Sequence, residues 1–284
     1  MNADAYFAIG KTHTVCEDYA KAIFKQGGGD GGFFAFLSDG CSSSSDTDIG
    51  ARLLVTAALV QGGYEQIEPQ GVIQQAASER PTGLSVFSLD ATFLGLIGDG
   101  ERVQATVSGD GVLAGLRRDG SLDVWDVVFP SGAPGYPSYL LALDRLKGYV
   151  NGRCVNKCSF CDGINGGHGK RQITVTHDGV TTETLEDTVG SPETWAFKPP
   201  PFTPDIYRAV FAFSDGVHSF QRDVGEPGPA TVPMLEVVKH LTAIKGFAGS
   251  FMIRRAMAFL GRHCRDNKWH HNDDVSAIAI DLGE

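Results

Sequence analysis

Two apolar runs in this chain end the same way. The run at residues 33–37 leads through Ser38 into Asp39-Gly40, and the run at 210–213 leads through Ser214 into Asp215-Gly216. Asp273-Asp274 opens a third apolar run, Val275–Asp281. Runs this short and this apolar read as strands buried on both faces. Carboxylates at the ends of such strands stand on stiff supports. Where the ends meet, they form an oxygen-rich pocket that repels itself unless a cation fills it. The chain must therefore fold so that distant strands become neighbours, and its chemistry is expected to begin with a metal.

The rest of the chain reads as strands, helices and more strands. Residues 6–10, 18–24 and 33–37 are strand-like, with a hairpin expected across the glycine-rich segment at 27–32. Apolar residues at helical spacing follow at 49–60, closed by Gly62-Gly63, and a shorter helix is expected at 70–79. Residues 84–97, 102–107, 112–117 and 122–129 read as strands. Gly98-Asp99-Gly100, Gly109-Asp110-Gly111 and Asp119-Gly120 separate them, which predicts an antiparallel meander. Residues 130–205 are expected to form an irregular insertion rich in Cys, Gly and Pro. Two helices at 232–244 and 250–264, the second capped by Ser250, precede the last strand. This order predicts an α+β layered fold in which strands far apart in sequence pair centrally. The 284 residues are read as a single domain carrying one insertion at about 130–205.

Composition narrows the function classes. A net charge of −10 argues against nucleic acid as the main partner and is compatible with a carboxylate metal site. No apolar run is long enough to span a bilayer and no signal-peptide pattern opens the chain, so a soluble, cytoplasmic protein is expected. Six cysteines are too few and too unevenly placed for a disulfide scaffold of this size. Cys154, Cys158 and Cys161 have the C-x-x-x-C-x-x-C spacing. Thiolates so placed can hold an iron–sulfur cluster, or zinc with His168 as a fourth ligand, or remain free thiols. The pattern of the chain lacks the alternating strands and helices of a radical-enzyme barrel.

A single Asp-Gly pair is usually a turn, as Asp119-Gly120 and Asp178-Gly179 are read here. The order of elements is more specific. Glu17-Asp18, Asp39-Gly40 before a helix, Gly109-Asp110-Gly111, Ser214-Asp215-Gly216 and Asp273-Asp274 before a final strand follow one another along the chain. In that order the chain resembles the metal-dependent protein phosphatases of type 2C, the PPM family, over roughly residues 6 to 283. The resemblance implies a central antiparallel β-sandwich flanked by helices on both faces, with two metal ions at one edge. Asp39 would bridge both ions, Gly40 would ligate one through its carbonyl, and Asp215 and Asp273 would hold the other. Glu17 would stand in or next to the metal shell, Asp18 would orient a metal-bound water, and Asp110 would support a third ion, as in some members. Oxygen ligands of this kind suit Mg²⁺ or Mn²⁺. The activity implied is hydrolysis of phosphoserine or phosphothreonine in a phosphorylated protein, by attack of a metal-bound hydroxide.

Four segments depart from the family pattern. His13 stands where a phosphate-binding arginine is usual, and imidazole cannot form the bidentate fork of a guanidinium. Cys41-Ser42-Ser43 replaces glycines, Asp274 replaces an asparagine, and Gly111 replaces a serine. These departures motivate a second reading, an inactive or weakly active relative that binds a phosphoprotein or a regulatory partner. A zinc or iron–sulfur protein centred on the cysteines is a third.

Overall fold

The computed structural model describes residues 1–25, 32–61, 67–151, 169–223, 225 and 230–283. Two antiparallel sheets form its centre. The first has the order β1-β13-β10-β6-β7-β8-β9, where β1 is Asn2–Ala8, β6 Gly111–Arg117, β7 Leu122–Val128, β8 Lys170–His177, β9 Val180–Thr188, β10 Tyr207–Phe213 and β13 Val275–Asp281. The second has the order β2-β3-β4-β5, with β2 Tyr19–Lys25, β3 Gly32–Ser38, β4 Phe93–Gly98 and β5 Val103–Ser108. A short pair, β11 (Phe220–Arg222) with β12 (Trp269–His271), stands apart.

The continuous apolar runs are explained by burial on both faces of each sheet. Along β3, Ala35 and Leu37 point into the core between the sheets, while Phe34 and Phe36 point outward. Helices α1 (Thr47–Gln61) and α2 (Pro69–Glu79) cover that outer face. Along β10, Val210 and Ala212 face the sandwich core, while Phe211 and Phe213 pack under α4 (Met234–Thr242) and α5 (Phe251–Ala258). The period of two sends alternate residues to two different cores. The outcome is the expected layering of helices, sheet, sheet and helices.

Local differences from the sequence reading have physical causes. Residues 84–97 are not one strand: a 3-10 turn at Val86–Leu89 precedes β4. Gly109-Asp110-Gly111 is not a hairpin, because β5 and β6 belong to different sheets. Both glycines have positive φ, +94° and +140°, which lets the chain cross from one sheet to the other in three residues. Gly111 also has no room for a Cβ, which would stand 2.8 Å from the Phe213 carbonyl oxygen. Ser250 makes no side-chain cap. Instead Asp4 of β1 accepts hydrogen bonds from the backbone N–H groups of Met252 (2.8 Å) and Ile253 (3.3 Å) at the start of α5. Within 130–205, a 3-10 turn (Pro137–Leu141) and α3 (Leu143–Val150) precede β8 and β9, and those two strands extend the larger sheet.

Candidate metal centre

The antiparallel pairing of β10 with β13 brings two distant chain segments to one edge of the sandwich. Ser214 N–H donates to the Ser276 carbonyl (3.1 Å), and the turn Asp215–His218 then lies directly on Asp274. Only glycine fits at 216, since a Cβ there would stand 1.7 Å from the Asp274 carbonyl oxygen. The smaller sheet contributes Asp39, whose backbone N–H donates to Thr92 Oγ1 (3.1 Å) and whose carbonyl accepts from Thr92 N–H (2.8 Å). Gly40 has the start of α1 against it, with a Cβ excluded by Thr47 at 2.9 Å. Asp110 enters from the crossover between the sheets.

These residues meet. Asp39, Gly40, Asp110, Asp215 and Asp273 line one cavity of about 340 Å³, together with Cys41, Ser42, Ser43 and Thr92 and a wall formed by residues 131–134 and Tyr136. No Lys or Arg is among its lining residues. Asp18 lies beneath, buried, and accepts a hydrogen bond from Ser214 Oγ at 2.8 Å. Asp39 is close enough to Asp18 and Asp215 for both charges to act on it. Two ionised carboxylates this close repel each other, and a shared proton or a cation removes the repulsion.

The electrostatics follow from this crowding. Burial pushes the Asp18 carboxyl up to about 7, against hydrogen bonds that favour its ionised form. Asp39 is raised well above the usual carboxylate range by burial and then by the charges of Asp18 and Asp215. Asp110 and Asp273 are raised by burial and then by Asp215. Asp18 Oδ1 and Asp215 Oδ1 are buried oxygens with no hydrogen-bond partner. Orphaned hard oxygens and convergent carboxylates suit a hard cation such as Mg²⁺ or Mn²⁺. Among the described residues no three His, Cys, Asp or Glu side chains already stand close enough to hold an ion, so the fold supplies a ring of donors around a cavity rather than a closed ligand set.

A pH dependence follows. A carboxyl whose folded pKa is raised binds its proton more tightly in the folded state. Its contribution to stability is complete below the unfolded carboxylate range and is lost as pH rises through the folded value. Asp18 places the end of that loss near pH 7. In EDTA, the melting temperature is expected to fall between pH 5 and pH 8, and Mn²⁺ is expected to flatten the slope. A flat profile in EDTA would contradict the crowded-carboxylate reading.

His13 and Glu17 do not line this cavity. With Thr12, Thr14, Ser42, Asp46 and Asp48 they line a neighbouring one of about 400 Å³. His13 Nε2 is 3.4 Å from Asp273 Oδ1 and Nδ1 is 3.2 Å from Asp274 Oδ2. Burial alone would lower its pKa, but the contact with Asp274 and the charges of Asp274, Asp273 and Glu17 raise it. Glu17 accepts from Thr47 Oγ1 at 3.3 Å, and burial raises its pKa.

Asp274 has a role that its place in the sequence does not disclose. It is buried, and its two oxygens accept the backbone N–H groups of Gly10 (2.6 Å) and Glu17 (2.5 Å). It anchors the segment that carries His13, Glu17 and Asp18. Asp274→Ala leaves two donors unsatisfied and is expected to cost about 2 kcal/mol or more in urea unfolding, with Asp274→Asn costing less. Thr92 and the 131–136 wall were likewise not identified from sequence; neither carries a local signal. Cys154, Cys158, Cys161 and His168 lie outside the described residues.

No family model matches the chain, and no curated protein matches it. Among solved structures it is similar to a bacterial serine phosphatase, with 11% identity, a TM-score of 0.51, and coverage of 100% of this chain and 99% of that one. A bacterial serine phosphatase bearing an arginine-to-lysine mutation matches at 11% identity and a TM-score of 0.52, again covering 100% and 99% of the two chains. The chain has the layered fold of these phosphatases, the fold that the type 2C resemblance implied.

Proposed function

We propose that the chain is a single-domain, metal-dependent phosphatase acting on phosphoserine or phosphothreonine in proteins. The observation that carries this reading is the convergence of Asp39, Asp110, Asp215 and Asp273 on one cavity with no Lys or Arg in its lining. Asp39, the Gly40 carbonyl, Asp215 and Asp273 would hold two Mn²⁺ or Mg²⁺ ions, with Asp110 available to another. Ions held there supply Lewis acidity and lower the pKa of a bound water.

The chain's own residues do the rest. Asp18, buried below Asp39, holds a proton or a charge at the floor of the site according to what binds above it. The Ser42 and Ser43 segment and the 131–134 segment wall the site, where the peptide that carries the phosphoryl group would lie. His13 is engaged with Asp273 and Asp274. It therefore supports the position of Asp273 rather than standing free for phosphate. This engagement also favours the second reading, a phosphoprotein-binding relative without turnover.

The two readings separate in one assay. Hydrolysis of p-nitrophenyl phosphate and of a phosphothreonine peptide is measured with and without Mn²⁺ or Mg²⁺. Turnover that EDTA abolishes is expected. Metal binding by calorimetry without turnover would leave the binding role, and neither binding nor turnover would overturn the metal centre. Among the described residues no helix is long and apolar enough to cross a membrane.

A further inference from the structure

Both walls of the cavity hang on one buried carboxylate. Asp90, in the bend before β4, is fully buried. Its carboxylate accepts from Arg145 Nη2 at 2.8 and 2.9 Å, from Ser138 Oγ at 2.5 Å and from Ser44 Oγ at 3.1 Å. Its main-chain carbonyl accepts from Cys41 N–H at 2.8 Å, immediately after the Asp39-Gly40 pair. That bond holds one wall.

The other wall is held through α3. The Arg145 guanidinium lies 4.8 Å from the ring centres of both Phe87 and Tyr139, so its place and plane are set by stacking as well as by charge. One helical turn on, Tyr149 Oη donates to the Ala133 carbonyl at 3.0 Å, and Ala133 lines the cavity. Arg145 and Tyr149 therefore make α3 a strut from Asp90 to the 131–136 wall. Cys41 packs against the aromatic cluster of Tyr136, Tyr139, Tyr149 and Trp195, which closes the loop between the walls.

We propose that Asp90 and Arg145 are positioning residues that fix the separation of the two walls, and so set how a phosphorylated peptide segment enters. The carboxylates of the floor stand on strand ends and on the crossover between the sheets, and none belongs to α3. A small aryl phosphate needs mainly that floor. A peptide must also fit between the walls. The effect on turnover rests on the phosphatase reading above; the positioning of the walls does not.

The test uses the full chain with Arg145→Met, Arg145→Lys and the milder Tyr149→Phe, which removes only the hydroxyl that reaches Ala133. Arg145→Met is expected to raise KM for a phosphothreonine peptide about 10-fold and Tyr149→Phe about 3-fold, with p-nitrophenyl phosphate kinetics within about twofold. Arg145→Lys should fall between Arg145→Met and the unchanged chain. Iodoacetamide labelling followed by peptide mass spectrometry reads the walls without turnover. Labelling of Cys41 should accelerate about 10-fold in Arg145→Met, while that of Cys16 and of buried Cys264 should not change. An unchanged Cys41 rate, a parallel rise at Cys264, or equal changes for both substrates would each overturn the proposal. If the unchanged chain turns over neither substrate while Cys41 responds as expected, the phosphatase reading fails and the positioning of the walls stands.

Discussion

Asp39→Asn is expected to do two opposite things: remove metal-dependent hydrolysis and stabilise the metal-free fold. Asp39 is the carboxylate proposed to serve two ions, so its loss should lower kcat/KM with Mn²⁺ by about 10³-fold, ~4 kcal/mol of transition-state stabilisation. The same side chain is held next to Asp18 and Asp215, whose charges raise its pKa. Replacing it with a neutral amide of the same shape relieves that repulsion. The melting temperature in EDTA at pH 8 should therefore rise, while the shift on adding Mn²⁺ should shrink. Asp215→Asn is expected to behave similarly, because after burial the Asp215 charge helps to raise Asp39, Asp110 and Asp273. Unchanged hydrolysis would overturn the ligand assignment. Lost hydrolysis with a lower melting temperature in EDTA would show that Asp39 stabilises the fold rather than straining it.

Gly216→Ala is expected to have the largest effect on the fold of any single methyl group at the site. The added Cβ would lie 1.7 Å from the Asp274 carbonyl oxygen and 2.8 Å from its carbonyl carbon. The obstacle is backbone at the start of β13, a strand paired on both sides, so it cannot step aside as a side-chain tip could. Overpacking of a rigid contact costs about 3 kcal/mol or more. The two segments that must separate are those carrying Asp215 and Asp273, so metal affinity should fall with stability. Urea unfolding and Mn²⁺ calorimetry on the same sample check both. Gly283→Ala is a control in the same background: no atom lies within 4 Å of the Cβ position, and its positive φ of +86° costs only local strain.

The strand-end carboxylates were legible because each is written locally. An apolar run, a Ser, then Asp-Gly is a pattern that a reader of sequence can find twice, and with Glu17-Asp18, Gly109-Asp110-Gly111 and Asp273-Asp274 it carried the resemblance that implied the layered fold. The Gly109-Asp110-Gly111 turn was found for the wrong reason. Its glycines suggest a hairpin, but only the pairing of β4 with β5 and of β6 with β7 shows that it joins two sheets. Asp274 was visible only as an extra charge beside Asp273. Its hydrogen bonds reach Gly10 and Glu17, more than 250 residues away, and no local pattern records them.

The same division holds for the site as a whole. The residues alone determined which side chains have metal-binding chemistry and which ones end strands, because strand propensity, burial period and turn chemistry act over a few positions. Tertiary structure alone decided that His13 faces Asp273 and Asp274, that Glu17 opens onto a neighbouring cavity, and that Asp90 supports both walls. Those relations arise where segments distant in sequence pack to within 3 Å or so of each other. Such distances are set by the pairing of whole strands, and a linear pattern does not encode them.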